Sequence, residues 1–139
     1  MKGKVFVDTN ILVYLFSVTE PEKKDRCVEV IREIKEDAVL VWSTQVVQEL
    51  YQVLTKKFSK DPQIVKSILG QFDEFELFVN NMEVINNAID IQTITRFSFW
   101  DSLILSSAQL SNCSTILSED MQHGQLVNGV AIQSPFELN

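Results

Sequence analysis

Lys4-Val5-Phe6-Val7-Asp8-Thr9-Asn10-Ile11-Leu12 is the stretch that decides the fold. Val5, Phe6 and Val7 form a continuous β-branched and aromatic run rather than an alternating one. That is the pattern of a parallel strand covered on both faces. The strand, Lys4–Asp8, ends in an acid, and Thr9–Phe16 follows as a short helix. Thr19-Glu20-Pro21 then breaks the chain, and Pro21 stands at the natural first position of a second helix. Cys27, Val30, Ile31 and Ile34 recur there at spacings of three and four, so one face of that helix is buried.

The alternation continues. Ala38–Trp42 is a second continuously apolar strand. Ser43 or Thr44 caps a helix to about Phe58, with Val47, Leu50, Tyr51, Leu54 and Phe58 as its core stripe. Asp61-Pro62 is a cap followed by a first-turn proline, opening a helix through Ile64, Ile68 and Leu69. A short strand is expected in either Glu76–Val79 or Glu83–Ile85. Asn86 or Asn87 then caps a helix carrying Ala88, Ile89, Ile91 and Ile94. Ser98 caps the helix Phe99–Leu110, Ser114–Ser118 is a strand, and Val130–Ile132 is a short final one. Strands alternating with helices define an α/β domain on a parallel sheet, and the 139 residues form a single domain with a sizeable core.

Composition narrows the partners. A net charge of −7 argues against indiscriminate polyanion binding, but not against a nucleic acid held locally through cations. Lys56, Lys57, Lys60 and Lys66, at the end of one helix and the start of the next, are the nearest approach to a basic patch, with a solvated helix end as the simpler meaning. The longest apolar run, Ile11–Phe16, is too short to span a bilayer, and the N-terminus has no signal-peptide pattern. A cytoplasmic protein with no membrane association is expected. Cys27 and Cys113 lie in different elements without metal-ligand spacing and read as buried small hydrophobes.

Four acids are hard to explain by folding alone. Asp8 ends the first strand, and Asp120 follows Ile116-Leu117-Ser118. In an open parallel sheet, ligands bind beyond the carboxyl ends of the strands. Taken singly, Asp8 also reads as a helix cap and Asp120 as a turn residue. Asp101 shares its helix face with Ile104, Leu105 and Ala108, so it points toward the core side of a first turn. A helix dipole offers about 0.3–1 kcal/mol, which does not offset the burial of an unpaired carboxylate. Glu49 interrupts the apolar run Val46–Leu54, in a row with Val46 and Val53 opposite the core stripe. By contrast, Glu29, Glu33, Glu36 and Asp37 sit in plainly solvated sequence.

A cluster of oxygen donors without a Cys or His set calls for a hard cation, Mg²⁺ or Mn²⁺. Two such ions, typically about 3.5–4 Å apart, would offset four carboxylates and clamp a phosphodiester for in-line hydrolysis. Other chemistries lack their residues. His123 is the only histidine and reads as a turn residue. Gly124 and Gly129 have Walker-loop spacing, but Val130-Ala131 stand where Lys and Ser or Thr are needed. Asp8-Thr9-Asn10 lacks the second Asp of an aspartyl-phosphate phosphatase.

With these residues in place, the chain resembles the PIN-domain ribonucleases, most of all the VapC-type toxins of toxin–antitoxin pairs. The matching segments are Val7-Asp8-Thr9-Asn10-Ile11-Leu12, Gln48-Glu49-Leu50, Phe99-Trp100-Asp101-Ser102-Leu103-Ile104 and Leu117-Ser118-Glu119-Asp120, in the family's order. The resemblance implies a three-layer α/β/α sandwich with a mainly parallel central sheet, and Mg²⁺- or Mn²⁺-dependent endonucleolytic cleavage of RNA. It makes Asp8, Glu49, Asp101 and Asp120 the catalytic and metal-binding acids, with Asn10 and Ser118 orienting acids or waters. It also implies a homodimer and a cognate antitoxin. Relatives often carry a further acid just past the Asp120 position, where this chain has Gln122 and His123. Either the second metal is loosely held or Glu119 contributes, and one metal site or two remains open. The alternative from another class is a PIN-like scaffold that binds RNA or protein without cutting.

Overall fold

Val5, Phe6 and Val7 are all fully buried. Successive strand residues face opposite sides of a sheet, so both faces of this strand are covered. The computed structural model describes residues 1–138; Asn139, the last residue of the expected domain, lies outside them. The first strand is β1 (Gly3–Val7), followed by α1 (Thr9–Tyr14), α2 (Pro21–Asp37), β2 (Ala38–Ser43), α3 (Thr44–Lys56) and α4 (Pro62–Gly70). Then come β3 (Glu76–Phe78), α5 (Met82–Thr95), α6 (Phe99–Leu110), β4 (Thr115–Leu117), β5 (Leu126–Val127) and β6 (Val130–Gln133).

The strands form one sheet in the order β3-β2-β1-β4-β6-β5. All neighbours are parallel except β5, which runs antiparallel to β6. Val5 pairs with Leu40 on one side and Thr115 on the other. Helices flank the sheet in the expected three-layer α/β/α arrangement, with α2 on β2 and α6 against β2, β4 and β6. Chain order moves outward from β1 through β2 to β3, then returns to β4 on β1's other side. The switch point therefore lies between β1 and β4, and their carboxyl ends open a crevice there.

Local chemistry explains most element boundaries. Ser43 Oγ accepts the Val46 N–H at the start of α3, Asp61 caps α4 ahead of Pro62, and Ser98 Oγ accepts the Asp101 N–H at the start of α6. Beyond α1 the turns tighten into i−3 bonds from Leu15, Phe16 and Ser17, which is why the regular helix ends at Tyr14 rather than at Phe16. Cys27 and Cys113 are free and buried.

Several expectations are corrected. Asn81, not Asn86 or Asn87, caps α5, its Oδ1 accepting the Val84 N–H at 3.1 Å. Glu83–Ile85 is therefore helical, and the short strand falls in Glu76–Phe78. The buried row of α5 is Val84, Ala88 and Ile91, while Ile89 and Ile94 are exposed. Asn87 instead donates to Ser106 Oγ and Gln109 Oε1 on α6, at 3.0 and 2.8 Å. In α3 the buried row is Val46, Leu50 and Leu54, and Tyr51 lies outside it. The β5–β6 hairpin was not expected, although Asn128-Gly129 signals it. Both residues have positive φ (48° and 83°), as a two-residue primed turn requires.

Candidate active site

Asp8 occupies the first position past β1, where its backbone N–H still bonds Leu117 of the neighbouring strand at 3.0 Å. Its side chain caps α1, Oδ1 accepting the Thr9 N–H at 2.7 Å. The other oxygen, Oδ2, accepts from Ser118 Oγ at 2.8 Å and Asn10 Nδ2 at 3.3 Å. Asp8 is thus both a helix cap and a member of the crevice. Burial pushes its pKa up from 3.8 to about 6, and the negative charges of Glu49 and Asp101 add to the rise, against the lowering hydrogen bonds from Ser118 and Thr9.

The other acids arrive from three separate elements. Glu49 projects from the middle of α3 and is half-buried, its Oε1 accepting the Thr9 hydroxyl at 2.6 Å. Asp101 stands in the first turn of α6, half-buried, and its pKa is raised by burial and then by the charge of Asp120. Asp120 is exposed beyond β4 and accepts from Asn10 Nδ2 at 3.0 Å. All four carboxylates line one cleft of about 560 Å³ at the sheet's switch point. Among the described residues none of the four makes an ion pair.

Asn10 and Ser118 stand where the family resemblance puts residues that orient acids. Asn10 bonds both Asp8 and Asp120 through its amide nitrogen, and its Oδ1 accepts the Glu119 N–H at 3.2 Å. Glu119 also lines the cleft but is turned aside: Lys23 Nζ lies 2.6 Å from its Oε2, and the Tyr14 hydroxyl donates to its Oε1. Of the four lysines considered as a basic patch, only Lys57 reaches the cleft wall. His123 sits in a turn, where its Nδ1 accepts the Ser134 N–H at 2.9 Å.

Sequence reasoning missed Thr9, Tyr14, Lys23 and Gln45. Thr9 carried a signal, because a hydroxyl following an acid at a strand end is a ready donor to a second acid. Lys23 and Tyr14 meet only through the turn between α1 and α2, so no spacing announces them. Gln45 donates to the Trp100 carbonyl at 3.3 Å and ties α3 to the start of α6, while its buried Oε1 has no partner.

The donor set fits a hard divalent cation: it is all oxygen, unpaired with any protein cation, and held partly by second partners that fix its orientation. Among the described residues, no three Asp, Glu, His or Cys side chains are already gathered tightly enough to hold an ion.

The PIN domain profile matches residues 5–126, which is most of the chain, and the protein belongs to the PIN domain family. No curated protein sequence matches it significantly. Among solved structures, it is similar to a chain of a toxin–antitoxin complex from Klebsiella pneumoniae, with TM-score 0.72, 19% identity, and coverage of 96% of this chain and 99% of that one. It is equally similar to a chain of VapBC2 from Rickettsia felis, bound there to a promoter DNA fragment, with TM-score 0.72, 18% identity and coverage of 94% and 98%. VapC20 of Mycobacterium tuberculosis, a sarcin–ricin-loop-cleaving toxin, aligns with TM-score 0.66, 12% identity and coverage of 84% and 89%. These likenesses establish a shared fold. Among the described residues, no helix is long and apolar enough to cross a membrane.

Proposed function

We propose that this chain is a Mg²⁺- or Mn²⁺-dependent endoribonuclease, a single PIN domain over residues 1–139, acting as the toxin of a toxin–antitoxin pair. One observation carries the proposal: Asp8, Glu49, Asp101 and Asp120 converge from four elements on one cleft, and among the described residues none of them makes an ion pair. Folding gains nothing from such a cluster, and burial of Asp8 costs stability. Asp8, Glu49, Asp101 and Asp120 would hold the ion. Bound there, it would neutralise the carboxylates and the developing charge on a phosphodiester.

The chain's own groups do the positioning. Ser118 and the Thr9 N–H fix both oxygens of Asp8, Thr9 Oγ1 fixes Glu49, and Asn10 draws Asp120 toward Asp8. The similar toxin–antitoxin structures support an antitoxin partner; an RNA substrate, a homodimer and a cytoplasmic setting are further parts of the proposal that rest on the family resemblance. The scaffold alternative draws support from the spread of the acids, no three of which are gathered around an ion position among the described residues. Calorimetric titration with Mn²⁺ separates the two. Binding that is lost in Asp8→Asn supports the nuclease, and no binding by the wild type supports the scaffold.

A further inference from the structure

Consecutive residues Glu119 and Asp120 face different surroundings. Asp120 accepts only a neutral amide, from Asn10, and remains exposed. Both oxygens of Glu119 are engaged, Oε1 by the Tyr14 hydroxyl and Oε2 by the Lys23 ammonium at 2.6 Å. Lys23 is itself fixed from several sides. Its Nζ lies 5.2 Å from the Tyr14 ring centroid and 5.1 Å from that of Phe136. Those two rings meet edge to face at 5.5 Å, and Nζ also reaches the Tyr14 oxygen at 3.2 Å. Three separated pieces of chain (α1, the first turn of α2 and the C-terminal segment) therefore build a seat for one ammonium, which Glu119 meets at 2.6 Å and Glu20 at 3.8 Å.

That seat borders the cleft and divides it electrostatically. On one side stand four carboxylates that make no ion pair, and on the other a carboxylate paired with Lys23. A divalent ion brought to Glu119 would meet the Lys23 charge within a few ångströms, and like charges at that range repel.

We infer that Lys23 and Tyr14 are positioning residues that withhold Glu119 from the acid cluster, so that the site takes a single divalent ion. This deepens the proposed nuclease function and rests on it: Glu119 is a wall of the cleft rather than a ligand, its charge already met by Lys23. The Glu119 N–H is spent on Asn10 Oδ1, while its side chain reaches Lys23 of α2.

Calorimetric titration of the full chain with Mn²⁺ tests this through stoichiometry, which a purely structural ion pair would not alter. The wild type is expected to bind one Mn²⁺. Glu119→Gln is expected to bind one as well, with affinity changed by less than about threefold, well short of the 10–100-fold typical of lost ligand support. The double variant Lys23→Met/Tyr14→Phe, which frees Glu119 and keeps the edge-to-face contact of ring 14 with Phe136, is expected to bind two. Two ions on the wild type with one lost in Glu119→Gln would overturn the inference and leave the nuclease proposal standing. A folded double variant that still binds one ion would also overturn it. No Mn²⁺ binding by the wild type would overturn both. Should the double variant fail to fold by circular dichroism, the wild-type and Glu119→Gln stoichiometries still decide.

Discussion

Asn10 Nδ2 donates to Asp120 Oδ2 at 3.0 Å, joining two residues 110 positions apart in the chain. The same nitrogen reaches Asp8 Oδ2 at 3.3 Å, so one amide ties the acid past β1 to the acid past β4. Asn10→Ala removes that tie and leaves Asp120 free to turn into solvent. Mn²⁺ affinity is expected to fall by roughly 10–100-fold, with the far-ultraviolet circular dichroism unchanged. Unaltered Mn²⁺ affinity in a folded Asn10→Ala protein would show that Asp120 needs no such restraint.

Thr9 does the equivalent for Glu49 through a 2.6 Å hydroxyl bond. Thr9→Val keeps the shape of the side chain and deletes the donor, whereas Thr9→Ser keeps the donor. RNA cleavage is expected to drop about tenfold or more in Thr9→Val and to stay near wild type in Thr9→Ser. Equal losses in both would assign the effect to packing of the methyl group.

Asp8 makes stability depend on pH with a definite sign. Its pKa is about 6 in the fold against an ordinary 3.8, chiefly because of burial, so folding favours the protonated form. The stabilisation is full below the unfolded pKa and is lost as pH rises through about 6. Asp101 shifts in the same direction. Urea unfolding in EDTA should therefore give a less stable protein at pH 7.5 than at pH 5. Asp8→Asn should flatten the difference and stabilise the protein at pH 7.5 by up to about 3 kcal/mol. A wild type whose stability rises steadily across that window would contradict this.

Saturating Mn²⁺ should reverse the penalty. An ion that binds only the folded state raises stability in proportion to the logarithm of its concentration over its Kd. The thermal midpoint of the wild type is expected to climb with Mn²⁺, and that of Asp8→Asn to stay flat. Equal shifts in the two proteins would place the ion elsewhere.

The fold was legible where burial is two-sided. Val5–Val7 and Ala38–Trp42 read as parallel strands because an unbroken apolar run has no other economical use at that length. Asp8, Glu49, Asp101 and Asp120 were legible as a set because each adjoins apolar sequence, although the cleft that gathers them is a property of strand order. What stayed hidden depends on contacts between elements. Asn81 caps α5 because the helix already begins at Met82, which leaves Asn86 and Asn87 inside it, with Asn87 bonded to Ser106 and Gln109 of α6. The Lys23–Tyr14–Glu119 seat has no sequence signature, since its members meet only after α1 and α2 fold back on β4. The Asn128-Gly129 turn was readable from its residue types and was overlooked.

Incubation of the purified chain with RNA, with and without divalent ions, bears on the whole proposal at once. The wild type is expected to cut RNA internally with Mg²⁺ or Mn²⁺, to stop in EDTA, and to recover when the ion is restored. Asp101→Asn, checked for native circular dichroism, is expected to be inactive under every condition. Cleavage by folded Asp101→Asn at the wild-type rate, or cleavage by the wild type that persists in EDTA, would contradict a carboxylate-held metal as the source of activity.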